Sequence, residues 1–149
     1  MISYEQLNEQ NHRIIELSNV LSYLFQDRAI CDTETCCDLF FRYFETVNQH
    51  MELVDNNLYG PLLAHHDNAI KNTARNFMSG GQEIRHILKT YEKKWCRRKN
   101  KQLTVGGRYE DFLKETNELF GLILDRIQRE TERLYPLIRE ITGDSRHAA

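Results

Sequence analysis

Along this chain apolar residues recur every three or four positions in four long stretches. Nowhere do Val, Ile and Thr alternate with polar residues over the length of a strand. That spacing predicts four amphipathic helices and no sheet. The first runs from about Tyr4 to Phe25, with Leu7, Ile14, Leu17, Leu21 and Phe25 on one stripe. After the loop Gln26–Asp32, Thr33 is a suitable N-cap for a second helix from Glu34 to about Leu63. Its inward residues are Phe40, Phe44, Val47, Met51, Val54 and Leu58; Cys36 stands where a capping box would have Glu or Gln. Asp67 caps a third helix, from residue 68 to about Arg98, whose stripe of Phe77, Ile84, Leu88, Tyr91 and Trp95 is interrupted by Gly80-Gly81. The fourth spans about Tyr109 to Ile141 and stops at Gly143, with Pro136 expected to kink or shorten it. Short connections between long helices imply an all-α, antiparallel up-down-up-down four-helix bundle, one domain over residues 1–149.

Composition narrows the class. A hydrophobic share of 40% in 149 residues suffices for one buried core. A net charge of −2 argues against a broad nucleic-acid surface, and the basic run Lys93, Lys94, Arg97, Arg98, Lys99 and Lys101 reads as a solvated helix end. There is no apolar run of membrane-spanning length and no signal-like N-terminus, so the expected location is the cytoplasm. The four cysteines, at 31, 36, 37 and 96, lack Cys-x-x-Cys spacing and read as free thiols packed like small apolar residues.

Several polar residues fall on or beside the inward stripes. Arg126 and Glu130 follow Ile123 by three and seven positions; His50 lies between Val47 and Val54; His12 precedes Ile15 by three and Val20 by eight. Gly80 and Gly81 also face inward, whereas His86 is about 200° from Ile84 and Leu88 and points out. His65-His66-Asp67 reads as a cap with two solvated imidazoles.

Two of these segments share a form. His50-Met-Glu-Leu-Val-Asp-Asn-Asn-Leu-Tyr-Gly-Pro61 and Arg126-Ile-Gln-Arg-Glu-Thr-Glu-Arg-Leu-Tyr-Pro136 each run from a polar residue through two turns to a Leu-Tyr-(Gly)-Pro exit. The pattern resembles the second and fourth helices of the hemerythrin-like, His/Glu cation-binding domains, over about Tyr4 to Arg139. The resemblance implies a di-iron site fed by all four helices. His12, His50 and Glu130 match its ligands. Val54 replaces a carboxylate, with Asp55 one position away; Gly80-Gly81 stands at the depth of a histidine; Arg126 replaces another.

Three ligands could hold at most a single iron or other divalent ion, not the full di-iron cofactor, and a guanidinium repels a cation. The expectation is therefore a hemerythrin-like binding or regulatory module with a degenerate metal site. It is expected to be neither an enzyme nor a conventional oxygen carrier, and to act through a protein partner the sequence does not name. Its central pocket would hold Arg126 and Glu130, with Asp55 as a further partner for the arginine. Two alternatives stay open: a metal-dependent oxygen, nitric-oxide or redox sensor with a non-standard iron site, and a phosphorelay module using His86. No nucleophile–base set, phosphate loop or dinucleotide fingerprint occurs. Oligomeric state is not legible.

Overall fold

The computed structural model describes residues 3–143. Its elements are α1 (Tyr4–Leu24), α2 (Glu34–Asn57), α3 (Tyr59–Leu63), α4 (Asn68–Trp95), β1 (Cys96–Arg97), a 3₁₀ turn (Arg98–Asn100), β2 (Gln102–Leu103), α5 (Tyr109–Arg129), a π turn (Glu130–Leu134) and α6 (Tyr135–Thr142). The all-α expectation holds, with four long helical stretches. No helix among the described residues is long and apolar enough to cross a membrane.

The starts follow local chemistry. Ser3 opens α1 with a reciprocal capping box to Gln6, Thr33 Oγ1 accepts from the Cys36 amide at 3.4 Å, and Asp67 Oδ1 accepts from the Ala69 amide at 2.8 Å. Each contact satisfies an amide the helix itself leaves without a partner.

The boundaries differ from expectation in three places. The second stretch breaks at Leu58, so residues beyond it form the separate short helix α3. The third ends at Trp95 rather than near Arg98. The chain there turns into a two-residue antiparallel ribbon, Cys96 opposite Leu103 and Arg97 opposite Gln102, too short to register as alternation. The fourth does not end early at Pro136. A proline ring clashes with the carbonyl four residues before it, here that of Glu132. The π turn widens the backbone just ahead, with the Tyr135 amide bonding the Glu130 carbonyl, and the helix continues to Thr142.

The interior is divided along its length. One apolar cluster holds Ile14, Phe40, Tyr43, Val47, Met51, Ile84, Leu88, Trp95, Phe112, Phe120, Ile123 and Ile127, among others. A second holds Tyr4, Leu7, Val54, Leu58, Tyr59, Leu62, Ala74, Leu134, Tyr135 and Ile138. Every long stretch crosses from one to the other, and each does so at a non-aliphatic step. On α1 it is Asn11 between Leu7 and Ile14; on α2, His50 between Val47 and Val54. On α4 it is Gly81 between Ala74 and Ile84, and on the last stretch Glu130 between Ile127 and Leu134. The polar layer is thus a single cross-section of the fold.

The cysteines are free, with Cys31, Cys36 and Cys37 buried and Cys96 half-buried. Burial raises the pKa of Cys31 and Cys37 and pushes Cys96 up to about 12, so these thiols stay protonated. Cys37 Sγ sits 3.4 Å from the Leu103 amide, tying the ribbon to α2.

Candidate functional site

The cross-sectional layer is built around one carboxylate. Glu130, wholly buried at the last α-to-π junction, receives three donors. Arg126 Nε reaches its Oε2 at 2.8 Å; His50 Nε2 and the Tyr135 hydroxyl reach its Oε1 at 2.7 and 3.2 Å. Arg126 lies one helical turn earlier on the same face, so the pair is an i,i+4 pair turned inward. Tyr135 lies five residues after Glu130, about 140° away around an ordinary α-helix. The intervening π turn is what lets its hydroxyl come back to the carboxylate.

All three guanidinium nitrogens are engaged. Arg126 is 4% exposed; beyond Glu130, its Nη1 donates to the Phe77 carbonyl at 2.9 Å and its Nη2 to the Tyr59 hydroxyl at 2.8 Å. Its plane lies against the Phe77 ring at 4.9 Å. The two glycines supply the room: a Cβ at Gly80 would stand 3.2 Å from Nη1, and one at Gly81 3.6 Å from Nη2. Two glycines inside a helix cost about 1 kcal/mol each relative to Ala. Here they leave α4 open to an arginine from α5.

The imidazole extends the layer to α1. His50 Nδ1 is 3.1 Å from Gln10 Oε1, and Asn11 Nδ2 donates to the Tyr135 hydroxyl at 3.4 Å. A proton on Nε2 lets His50 donate to Glu130, while Nδ1 faces the Gln10 side-chain amide, which can offer either its oxygen or its nitrogen.

The electrostatics follow from burial set against donors. Burial alone raises the pKa of Glu130. The hydrogen bond and charge of His50, then those of Arg126, outweigh it and hold the carboxyl below its ordinary value. Burial pushes the Tyr59 phenol up to about 12 and raises Tyr135 further, with Glu130 adding to both, so both phenols keep their protons.

Three expectations about these residues are met and two are corrected. His50, Arg126 and Glu130 are brought together, Gly80-Gly81 face the same point, and His86 is exposed on the outside of α4. His12 is not part of the layer: it is exposed, one position and about 100° from the buried Asn11. Its inward placement was referred to Ile15 and Val20, which are themselves 36% and 42% exposed. The buried stripe of α1 is instead Tyr4, Leu7, Asn11, Ile14, Ser18 and Leu21, at alternating steps of three and four. Asp55 is likewise not a partner of Arg126. It turns sideways and forms an ion pair with Arg85 on α4.

The participants that the sequence did not announce are Gln10, Asn11, Tyr59 and Tyr135. The last two belong to the Leu-Tyr-(Gly)-Pro exits, whose tyrosines carried the signal in their position after each polar residue.

For a divalent metal this arrangement is a poor fit. Only His50 and Glu130 converge, the carboxylate already receives three donors, and a permanent cation lies 2.8 Å from it. Among the described residues no three His, Cys, Asp or Glu side chains come together as a metal-binding group. Nor do the larger surface grooves reach the layer, since they are lined by other residues. Comparison with known proteins finds no matching family model, no similar curated protein and no similar solved structure.

Proposed function

We propose that the chain is a divergent hemerythrin-like bundle of antiparallel up-down-up-down helices in which an arginine has taken the place of the metal. In this reading it is a binding or regulatory module, not an iron enzyme or an oxygen carrier. The observation that carries the reading is Arg126. Its guanidinium joins α5 to α3, α4 and, through Glu130, to α2, at the depth where the resemblance would put iron. A cation there does mechanically what a metal would do, but it offers no open coordination position and no redox change. Activity of the oxygen-carrier kind has no support in such a centre. A role in holding a shape for another molecule needs only the scaffold.

Metal analysis tests this directly. Protein produced in iron-rich medium and purified without chelators is expected to carry well below one iron per chain and to lack the near-ultraviolet absorption of an oxo-bridged pair. Stoichiometric iron lost on His50→Ala but retained on His86→Ala would overturn the proposal and favour the sensor class. Val54→Glu with Arg126→His, which replaces two departures from the family pattern, is expected to raise iron retention above that of the parent.

A further inference from the structure

Opposite charges face each other across a gap between α2 and the turn that follows α4. Glu34, Asp38, Glu45 and Glu52 fall within about 40° of one another around α2, so they form one acidic stripe. Three of them, Asp38, Glu45 and Glu52, line an open groove of about 580 Å³, and Phe41, half-buried between them, gives it an apolar patch. Its other wall is the end of α4 and the turn, with Glu92, Arg98 and Lys101. A second groove adjoins the first at Asp38 and Lys101, which line both, and reaches Glu34 and Lys99. Arg42, turned about 60° from the acidic stripe, stands on the rim shared with the groove toward α1.

The two walls do not neutralise each other. Glu92 pairs with Arg98 at 3.1 Å, within its own wall. Among the described residues Glu34, Asp38, Glu45, Glu52, Lys99 and Lys101 have no ion-pair partner. Lys101 is also the one residue other than glycine, among those described, with a positive φ, 50°. Lysine takes this left-handed conformation at a cost that glycine avoids, and no ion pair within the chain offsets it.

We propose that this double groove is a docking site for an extended segment of a partner protein in which acidic and basic residues alternate. Charge complementarity selects that occupant. Successive side chains of an extended chain point to opposite edges, so strict alternation puts every carboxylate on one edge and every ammonium on the other. The acidic edge then meets Lys99 and Lys101, and the basic edge meets the stripe on α2. A nucleic acid or an anionic bilayer carries one sign only, and gains at one wall what it loses at the other. Length agrees as well: from Glu34 to Glu52 the helix rises about 27 Å, the span of roughly eight extended residues. The proposal rests on the reading of the chain as a binding module but not on the Arg126 layer, so failure here leaves the iron analysis to stand or fall by itself.

The test is fluorescence anisotropy of labelled eight-residue peptides titrated with the full chain at low salt. One peptide alternates Glu and Lys; a second has the same composition in two blocks, so both are neutral; a third is all Glu; an eight-nucleotide single-stranded DNA is the fourth probe. The alternating peptide is expected to bind at least about tenfold more tightly than each of the others. Lys99→Ala with Lys101→Ala is expected to weaken it about tenfold, and Glu45→Gln with Glu52→Gln about as much, since each removes two exposed pairs. Lys101→Gly is expected to weaken binding about threefold while raising the urea midpoint, an opposition that a purely structural lysine would not produce. Lys114→Ala, on α5 away from both grooves, is expected to leave binding unchanged. The proposal is overturned if the alternating peptide does not bind, or binds with less than a tenfold preference over the block peptide. It is equally overturned if the all-Glu peptide or the DNA binds as tightly, or if affinity is indifferent to the changes on either wall.

Discussion

Removing the carboxylate of Glu130 is the sharpest perturbation of the polar layer. Glu130→Ala leaves the Arg126 guanidinium, 4% exposed, without its counter-charge, and leaves the His50 Nε2 and Tyr135 hydroxyl donors without their acceptor. Breaking a buried ion pair from one side typically costs about 3–5 kcal/mol, and a lost hydrogen bond to a charged group about 1.5–3 kcal/mol more if nothing relaxes. The Phe77 and Tyr59 contacts of Arg126 remain, so the lower part of that range, about 4–5 kcal/mol in total, is expected. The double variant Arg126→Leu with Glu130→Leu removes both charges, yet four groups then lose partners: His50, Tyr135, Tyr59 and the Phe77 carbonyl. Recovery is therefore expected to be partial. Adding Tyr59→Phe and Tyr135→Phe should raise it further, since each hydroxyl left unpaired costs about 1–3 kcal/mol. Urea unfolding followed by far-ultraviolet circular dichroism measures all four proteins, read as free energies only where the transition is two-state. A Glu130→Ala midpoint within about 1 kcal/mol of the parent would refute the buried network, because that is the size of an exposed pair.

Acid should act through the same carboxyl. Its folded pKa lies below the ordinary value of 4.5, so its stabilising contribution is complete above 4.5 and is lost as pH falls through the depressed folded value. The stability gap between the parent and Glu130→Gln should hold from neutral pH to about 5 and narrow only below 4.5; a gap that closes nearer neutrality would contradict the assignment. At the glycines, Gly81→Ala meets contacts of 3.5 and 3.6 Å and should raise stability by up to about 1 kcal/mol. Gly80→Ala, crowding Nη1 at 3.2 Å, should gain less, and should gain more once Arg126 is Leu; equal gains in both backgrounds would disconnect the glycine from the arginine. His12→Ala, at an exposed position, should change unfolding free energy by less than about 0.5 kcal/mol, a larger loss restoring it to the interior.

Much of this architecture was written in periodicity. The α2 and α4 stripes, the caps at Thr33 and Asp67 and the inward turn of Arg126 and Glu130 all follow from helical spacing, which depends on the chain within one or two turns. What did not follow depended on the choice of reference or on distant residues. His12 was placed against Ile15 and Val20, and an exposed aliphatic residue is common enough that two of them can outline a false face. The heptad-like series from Tyr4 to Leu21 was the better guide, and it puts asparagine, not histidine, at the layer. Asp55 was assigned by proximity in sequence to a vacated ligand position. Its rotation by about 100° from Val54 takes it to Arg85, a residue on another helix that no local pattern links to it. The π turn leaves one trace, Pro136 inside a helical pattern, from which a kink or an early end is expected; the early end does not occur. The proline does not stop the helix, because one widened turn removes the clash.

That widened turn ties the layer's chemistry to its backbone. An α-helix continued unbroken through Pro136 would have both a clash at Glu132 and a Tyr135 turned away from Glu130. The π turn resolves the first and reverses the second, delivering a hydroxyl to a carboxylate five residues back. The carboxylate can then accept from three donors, drawn from two helical stretches, while buried, which an isolated Glu could not do without taking up a proton. Pro136→Ala should therefore be informative. If the π turn is held only by the proline, the helix relaxes to regular α geometry and the Tyr135 hydroxyl leaves Glu130, costing about 1–3 kcal/mol despite a residue better suited to helices. If the network holds the turn by itself, the same change should stabilise the protein, and the loss should appear only when Pro136→Ala is combined with Tyr135→Phe. The double-mutant cycle on these two positions separates the cases: coupling near zero in stability would mean that backbone and network are independent, and would sink the account of why a π turn lies there.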